Sequence, residues 1–378
     1  MRIAYTTIFD ARDVHAWSGT PTYMSQAFSQ EGVAVDYIGS LKQTLSPFFK
    51  VKQLWNKYIA GERESPRFNP TVLKSYSMQV AEQLNHLSVD AVVSPLINPI
   101  AYLDCKQPIV LWTDALYSAL TGFYSPTSAP TSISLAQGNR ATAECLSRCK
   151  LAIFSSDWAA RSAIELYGAN RDAVKVVPFG ANIDSYPSYE EVCQLINRRS
   201  KDKIKLLFLG KEWERKGGDT VLAVARTLHE AGHAVELTIV GCMPPEPSPS
   251  YVTCLGFISK HEQEGKEHIR QLLSETHFLF VPSRAEAYGI VFCEANAFGV
   301  PCLTTYIGGI GTVVRDNVNG MTFGLYASVM DYVNYIVGLM QNRAAYNELA
   351  LSAYHEYESR LNWKVSVREV KRLIEEVR

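Results

Sequence analysis

Apolar strand-like runs alternate with helix-like segments along this chain, and the alternation goes through twice. In the first half the strand-like runs are RIAYTT (2–7), VAVDYIG (33–39), VDAVVS (89–94), PIVLWT (108–113), LAIFSS (151–156) and VKVVPF (174–179). Helix-like segments fall between them, near 70–87 and 156–167. The pattern restarts at IKLLFLG (204–210) and continues through AVELTIVG (234–241), HFLFVPS (277–283) and PCLTTY (301–306). Continuous apolar strands separated by helices predict parallel sheets covered on both faces. Two successive doubly wound α/β halves are expected, and 378 residues are enough for two such domains. The polar stretch 182–202 holds no strand-like run and reads as a linker.

Composition excludes several classes of function. At 47% hydrophobic and 20% charged residues the chain can bury sizeable cores. A net charge of -1 argues against a nucleic-acid binder that works through overall basicity. The eight cysteines form no CxxC pair; Cys145 and Cys149, four apart on a predicted helix, read as packing thiols rather than metal ligands. The N-terminus MRIAYTTIFDARD begins as a strand without the apolar run of a signal peptide. No stretch approaches the roughly 20 apolar residues that span a bilayer. A cytoplasmic chain with reduced thiols is expected.

Familiar nucleotide motifs are absent. There is no GxxxxGK[ST] loop, and GGIGTVV (308–314) fails as GxGxxG because position 314 is valine. No Asp-x-Asp pair is available for a metal–diphosphate complex, so a nucleoside diphosphate would be neutralised by side-chain cations and helix N-termini. FLGKEWERKGGDTVLAVARTL (208–228) provides them: a strand, the turn glycine Gly210, then Lys211, Arg215 and Lys216 ahead of a helix near 217–219. Glu212 and Glu214 are interleaved, so a solvated charged loop is the other reading of this segment. In SRAEAYGIVFCEANAFGVP (283–301), Glu286 lies in a loop and Glu294 on the second turn of a helix read as about 289–298. The amides of Gly289 and Ile290 open that helix. Two carboxylates flanking amides suit a ligand that is anionic in the middle and hydroxylated at both ends.

These segments, with VVPFGANID (176–184), GGIGTVVRDNVNG (308–320) and the C-terminal RLNWKVSVREVKRLIEEVR (360–378), resemble the retaining glycosyltransferases of family 4 over nearly the whole chain. The resemblance implies the GT-B architecture, two Rossmann-like domains facing a central cleft. It places an acceptor-binding domain at 1–184, with a helix at about 361–378 packing back on it, and a nucleotide-sugar-binding domain at 185–360. Glu294 would hold the ribose hydroxyls, Glu286 the transferred sugar and Lys216 the diphosphate. Gly19, Gly210, Tyr288, Gly289 and Ile290 would line the nucleotide side. The family arginine after the strand glycine is Lys211 here, so that role falls to Lys211 or Arg215. Many members carry a His-Asp pair after a first-domain strand; this chain has Thr113 and Asp114. Asp114 is then an acceptor-side candidate or a capping aspartate. No metal or cofactor is implied, the donor being a UDP- or GDP-sugar and the acceptor a saccharide, lipid or small molecule. A sugar-nucleotide epimerase on the same fold and an inactive sugar-nucleotide-binding subunit are the rival readings.

One segment adds a second theme. LKQTLSPFFKVKQLWNKYIAGER (41–63) places Phe48, Phe49, Leu54, Trp55, Tyr58 and Ile59 among five cations and one acid. It reads either as a helix packed on the first sheet or as a basic amphipathic stretch lying on an anionic inner-membrane surface.

Overall fold

The computed structural model describes residues 1–43, 66–124, 131–245 and 247–378. The basic aromatic segment read at 41–63 lies outside the described residues from position 44 onward. The chain folds as two compact units, one of Met1–Pro178 with Ser366–Arg378, the other of Phe179–Val365.

In the first unit β1 (Arg2–Thr6), β2 (Ala34–Ile38), β3 (Ala91–Ser94), β4 (Ile109–Thr113), β5 (Cys149–Phe154) and β6 (Val174–Val176) form one parallel sheet in the order β2-β1-β3-β4-β5-β6. Every residue of β3 and β4 is buried, as expected for strands covered on both faces. Trp112 of β4 lies edge-on to Phe28 at 6.2 Å, and its indole N–H donates to the Val177 carbonyl at 3.1 Å. A buried indole thus keeps a hydrogen-bond partner. Helices 70–84 and 157–167 begin at Asn69 and Ser156, whose side chains accept from Thr71 N and Ala159 N. From Ser366 on, the helix Trp363–Val377 belongs to this unit, where Arg368 pairs with Glu31 at 2.7 Å.

The second unit contains β7 (Ile204–Leu209), β8 (Val235–Val240), β9 (Val252–Cys254), β10 (Phe278–Val281), β11 (Cys302–Thr305) and β12 (Gly320–Phe323). They too are parallel, in the order β12-β11-β10-β7-β8-β9. This is the Rossmann order: the chain leaves β7 toward one edge and returns to β10 on its other side. The carboxyl ends of β7 and β10 are therefore adjacent while the chain runs on from them toward opposite edges of the sheet. An α/β chain of two Rossmann-like units is what the twofold alternation predicted.

Three expectations need correction. The stretch 182–202 is no simple linker, because Tyr189–Arg198 is a helix. Ser188 and Glu191 close a capping box on it, and Val192 and Ile196 are buried. Few apolar positions in a charged segment hid it. Second, β9 and β12 were not anticipated; they are edge strands of three and four residues. Third, Cys145 and Cys149 do not share a helix, since Cys149 opens β5; their sulfurs lie 3.8 Å apart as free thiols. Among the described residues no helix is long and apolar enough to cross a membrane.

Beneath the second sheet His277 is fully buried. Its Nδ1 accepts from Lys205 N at 3.0 Å and its Nε2 lies 2.9 Å from the Ser200 carbonyl, an arrangement that fits the neutral ring. Burial, followed by the positive charge of Arg199, pushes its pKa down from 6.5 to about 3. The unfolded chain therefore binds a proton that the folded chain refuses between those values. Stability from this residue is complete above about pH 6.5 and declines as pH falls toward 3. From pH 8 to pH 4 the wild type should lose about 3 kcal/mol more than His277→Gln, measured by denaturant unfolding at both values.

Candidate functional site

Each loop that meets at the carboxyl ends of β7 and β10 contributes charge. After β7, residues 210–217 reach the helix Gly218–Glu230; after β10, residues 282–289 reach the helix Ile290–Asn296. The two loops are joined through their backbones. Gly217 has φ +73°, and a Cβ there would collide with the Pro282 carbonyl. Only glycine fits so close an approach in that conformation. Arg284 N donates to the Arg215 carbonyl at 2.7 Å, and the Arg284 guanidinium bridges the Glu214 carbonyl and Asp219, each at 2.6 Å.

Glu286, only 8% exposed, accepts from the Lys216 ammonium. Arg215 Nη1 lies 3.9 Å from the same oxygen and donates to the Ala285 carbonyl at 2.9 Å. Nη2 of Arg215 meets Glu212 at 2.6 Å, a hydrogen bond that holds the Glu212 carboxyl below its ordinary range. Lys216, Arg215 and Glu286 are thus gathered into one cluster. Lys211 stands apart, its ammonium 4.9 Å from the centre of the Phe257 ring. Gly210 closes the end of β7 by donating to the Val240 carbonyl at 3.0 Å, and a Cβ there would press on Lys216 at 3.0 Å.

Beyond Glu286 the backbone turns at Gly289, φ +90°, where a Cβ would lie 2.5 Å from the Phe292 ring. Ile290 then begins the helix that carries Glu294. Glu294 is 1% exposed, and its carboxylate accepts from the Lys260 ammonium. A buried carboxylate with no countercharge is costly, so this lysine belongs to the site. The sequence reading missed it, because the unanticipated β9 is what brings residue 260 to the carboxyl edge.

Tyr288 departs from expectation. Its side chain is 2% exposed, its hydroxyl donates to the Phe179 carbonyl at 2.7 Å, and burial raises its pKa well above the ordinary value. It packs inward beside Phe179, leaving only its backbone to face a ligand. Phe179 in turn packs at a tilt against Trp363, ring centres 5.3 Å apart, and the Trp363 indole donates to Asn182 at 2.9 Å. That contact gives the VVPFGANID stretch its structural role.

Two predicted residues belong to the first unit. Gly19 adopts φ +80° ahead of the helix Thr20–Gln30, and Trp17 and Ser18 before it are also left-handed. Three successive positive φ values at a strand-to-helix turn make it a strained element. Asp114 directly follows β4 and is half-buried. Chemically, the second-unit cluster offers fixed cations for an anion and two carboxylates for hydroxyls. Among the described residues, no group of three or more His, Cys, Asp and Glu side chains is placed to hold a metal.

Residues 194–356 match the family model described as Glycosyl transferases group 1. A D-inositol 3-phosphate glycosyltransferase of Nocardia farcinica is 27% identical over 206 residues, covering 51% of this chain and 46% of that protein. The chain spans about half the length of the curated relatives it matches. Sucrose-phosphate synthase from Thermosynechococcus elongatus superposes with a TM-score of 0.70 at 16% identity, covering 100% of this chain and 99% of that one. Anabaena HepE in complex with UDP-glucose superposes with a TM-score of 0.62 at 14% identity, covering 100% of both chains. Residues 194–356 are therefore similar to group 1 glycosyl transferases, and the chain has the two-domain α/β fold of the GT-B glycosyltransferases.

Proposed function

We propose that this chain is a retaining, metal-independent glycosyltransferase of family 4 that moves a sugar from a nucleoside-diphosphate sugar to an acceptor hydroxyl. One observation carries the reading: inside the matched segment, Glu286 and Glu294 are each buried against a lysine beside the point where the strand order reverses. Open α/β sheets bind their ligands at that place. The UDP-glucose bound by Anabaena HepE supports a nucleotide sugar as the donor class.

In this reading Lys216 and Arg215 neutralise the diphosphate. Arg215, beside Glu286, takes the part of the family arginine, and Lys211 serves as a peripheral cation. Breaking the anomeric bond builds negative charge on the departing diphosphate and positive charge on the sugar ring. Fixed cations stabilise the first without reorganising. Glu286 orients the sugar and stabilises the second. The leaving phosphate accepts the acceptor's proton in front-face attack, so no enzymic nucleophile is required. Glu294 holds the ribose hydroxyls, and Asp114 and Gly19 serve the acceptor side and the diphosphate. The acceptor is a saccharide, lipid or small molecule, and contact with an anionic membrane through 41–63 belongs to the same proposal.

Incubation with a panel of UDP- and GDP-sugars tests the activity. Slow release of free sugar, speeded by the right acceptor, is expected; a panel that is neither bound nor cleaved would remove the assignment. Glu294→Ala should weaken nucleotide binding by about 1–3 kcal/mol in calorimetry, the scale of lost charged hydrogen bonds. Unchanged affinity would take the ribose from Glu294. Lys216→Ala should lower the turnover rate by about 10²-fold or more while circular dichroism stays native. Activity should survive a strong chelator, and loss that manganese or magnesium restores would refute neutralisation by side chains.

A further inference from the structure

Lys260 follows β9 on a segment that is pinned at several points. Gly241 N donates to the Gly256 carbonyl at 2.7 Å, and His261 N donates to Ser259 Oγ at 3.3 Å. Gly265, on the helix Gln263–Glu275, lies so close to Ser259 that a Cβ would collide with the Ser259 carbonyl. One position on, Lys266 pairs with Asp184 at 2.5 Å. Lys260 thus leaves a fixed backbone, and its side chain, 35% exposed, reaches Glu294 Oε2 from the solvent side.

Glu294 has almost no water of its own. Burying a carboxylate this deeply is costly without a countercharge, and a charge-assisted hydrogen bond from an ammonium is about twice as strong as a neutral one. Lys260 occupies Oε2. A carboxylate has about four acceptor directions, so one lysine does not exhaust it. Lysine and a vicinal diol can therefore share this group without displacing one another.

We infer that Lys260 is a positioning residue that sets nucleotide specificity, holding Glu294 oriented for the 2′- and 3′-hydroxyls of a ribose. The inference rests on the assignment of Glu294 to the ribose made above. It goes beyond that assignment by making the preference for ribose over deoxyribose depend on a lysine outside the two-glutamate motif.

Titration calorimetry of the full chain with UDP, GDP and their 2′-deoxy counterparts tests it. Lys260→Met should weaken binding of the preferred ribonucleotide about tenfold and narrow its margin over the 2′-deoxy form. Lys260→Arg should restore most of both. In a Glu294→Gln background, Lys260→Met should change nothing further, because the lysine acts through that carboxylate. Undiminished or tighter binding by Lys260→Met with the ribose margin intact, or additive effects of the two substitutions, would overturn the role of Lys260. A Glu294→Gln variant that binds like the wild type, or a wild type that binds neither UDP nor GDP, would instead overturn the ribose assignment, and this inference would fall with it.

Discussion

The buried pair of Lys216 and Glu286 is the contact on which the candidate site depends. It ties the loop after β7 to the loop after β10 at the place where the strand order of the second sheet reverses. Net stability is a poor account of such a pair: removing two charges from water costs several kcal/mol per ion, and the attraction between them only roughly offsets this. What the pair does supply is position. With Arg215 3.9 Å from the same oxygen, two cations and one acid are held in a fixed arrangement that has little water to rearrange. Fixed charge in a poorly hydrated place is what stabilises charge developing in a reaction.

The backbone beneath this pair leaves little room for slippage. Gly217 against Pro282 and Arg284 across the Glu214 carbonyl and Asp219 lock the two loops side by side. Tyr288 then anchors the second loop to Phe179, and Phe179 is wedged by Trp363. A tyrosine quoted in the sequence for its proximity to a ligand therefore acts from behind, as a strut. Arg199 performs a comparable task deeper in the unit, donating to the carbonyls of Phe298 and Gly299 and to the Tyr346 hydroxyl. Those carbonyls end the segment carrying Glu294, so a buried guanidinium fixes the far end of the site's helix.

Sequence periodicity captured most of the architecture because fully buried parallel strands are continuous apolar runs. Among the described residues, ten of the twelve strands coincide with runs read from the residues alone. The two that escaped, β9 and β12, are short edge strands outside any longer apolar run, whereas the edge strands β2 and β6 lie within VAVDYIG and VKVVPF. Losing β9 concealed Lys260, since its place at the carboxyl edge follows from the strand before it. The helix Tyr189–Arg198 was legible in a different code: the Ser188–Glu191 spacing is a capping box, although the segment looks polar overall. Side-chain direction was least legible. Lys211, Arg215 and Lys216 are equivalent cations on paper, yet one stacks over Phe257 and two converge on Glu286.

Both site acids meet a cation before any ligand arrives, and this shapes how the proposed reaction would distribute binding energy. A diphosphate approaching Lys216 shares that ammonium with Glu286 and gains only part of its charge in the ground state. As the anomeric bond breaks, negative charge grows on the leaving phosphate and its pull on the lysine strengthens. The ring meanwhile becomes positive and draws on Glu286. Each partner, without moving, thus meets an opposite charge just as that charge appears. Interactions that strengthen only then raise the rate without tightening the bound substrate. Under the same proposal Glu294 and Lys260 would work under the opposite demand, since a ribose keeps the same charge throughout, and there a carboxylate with a constant partner is the better arrangement.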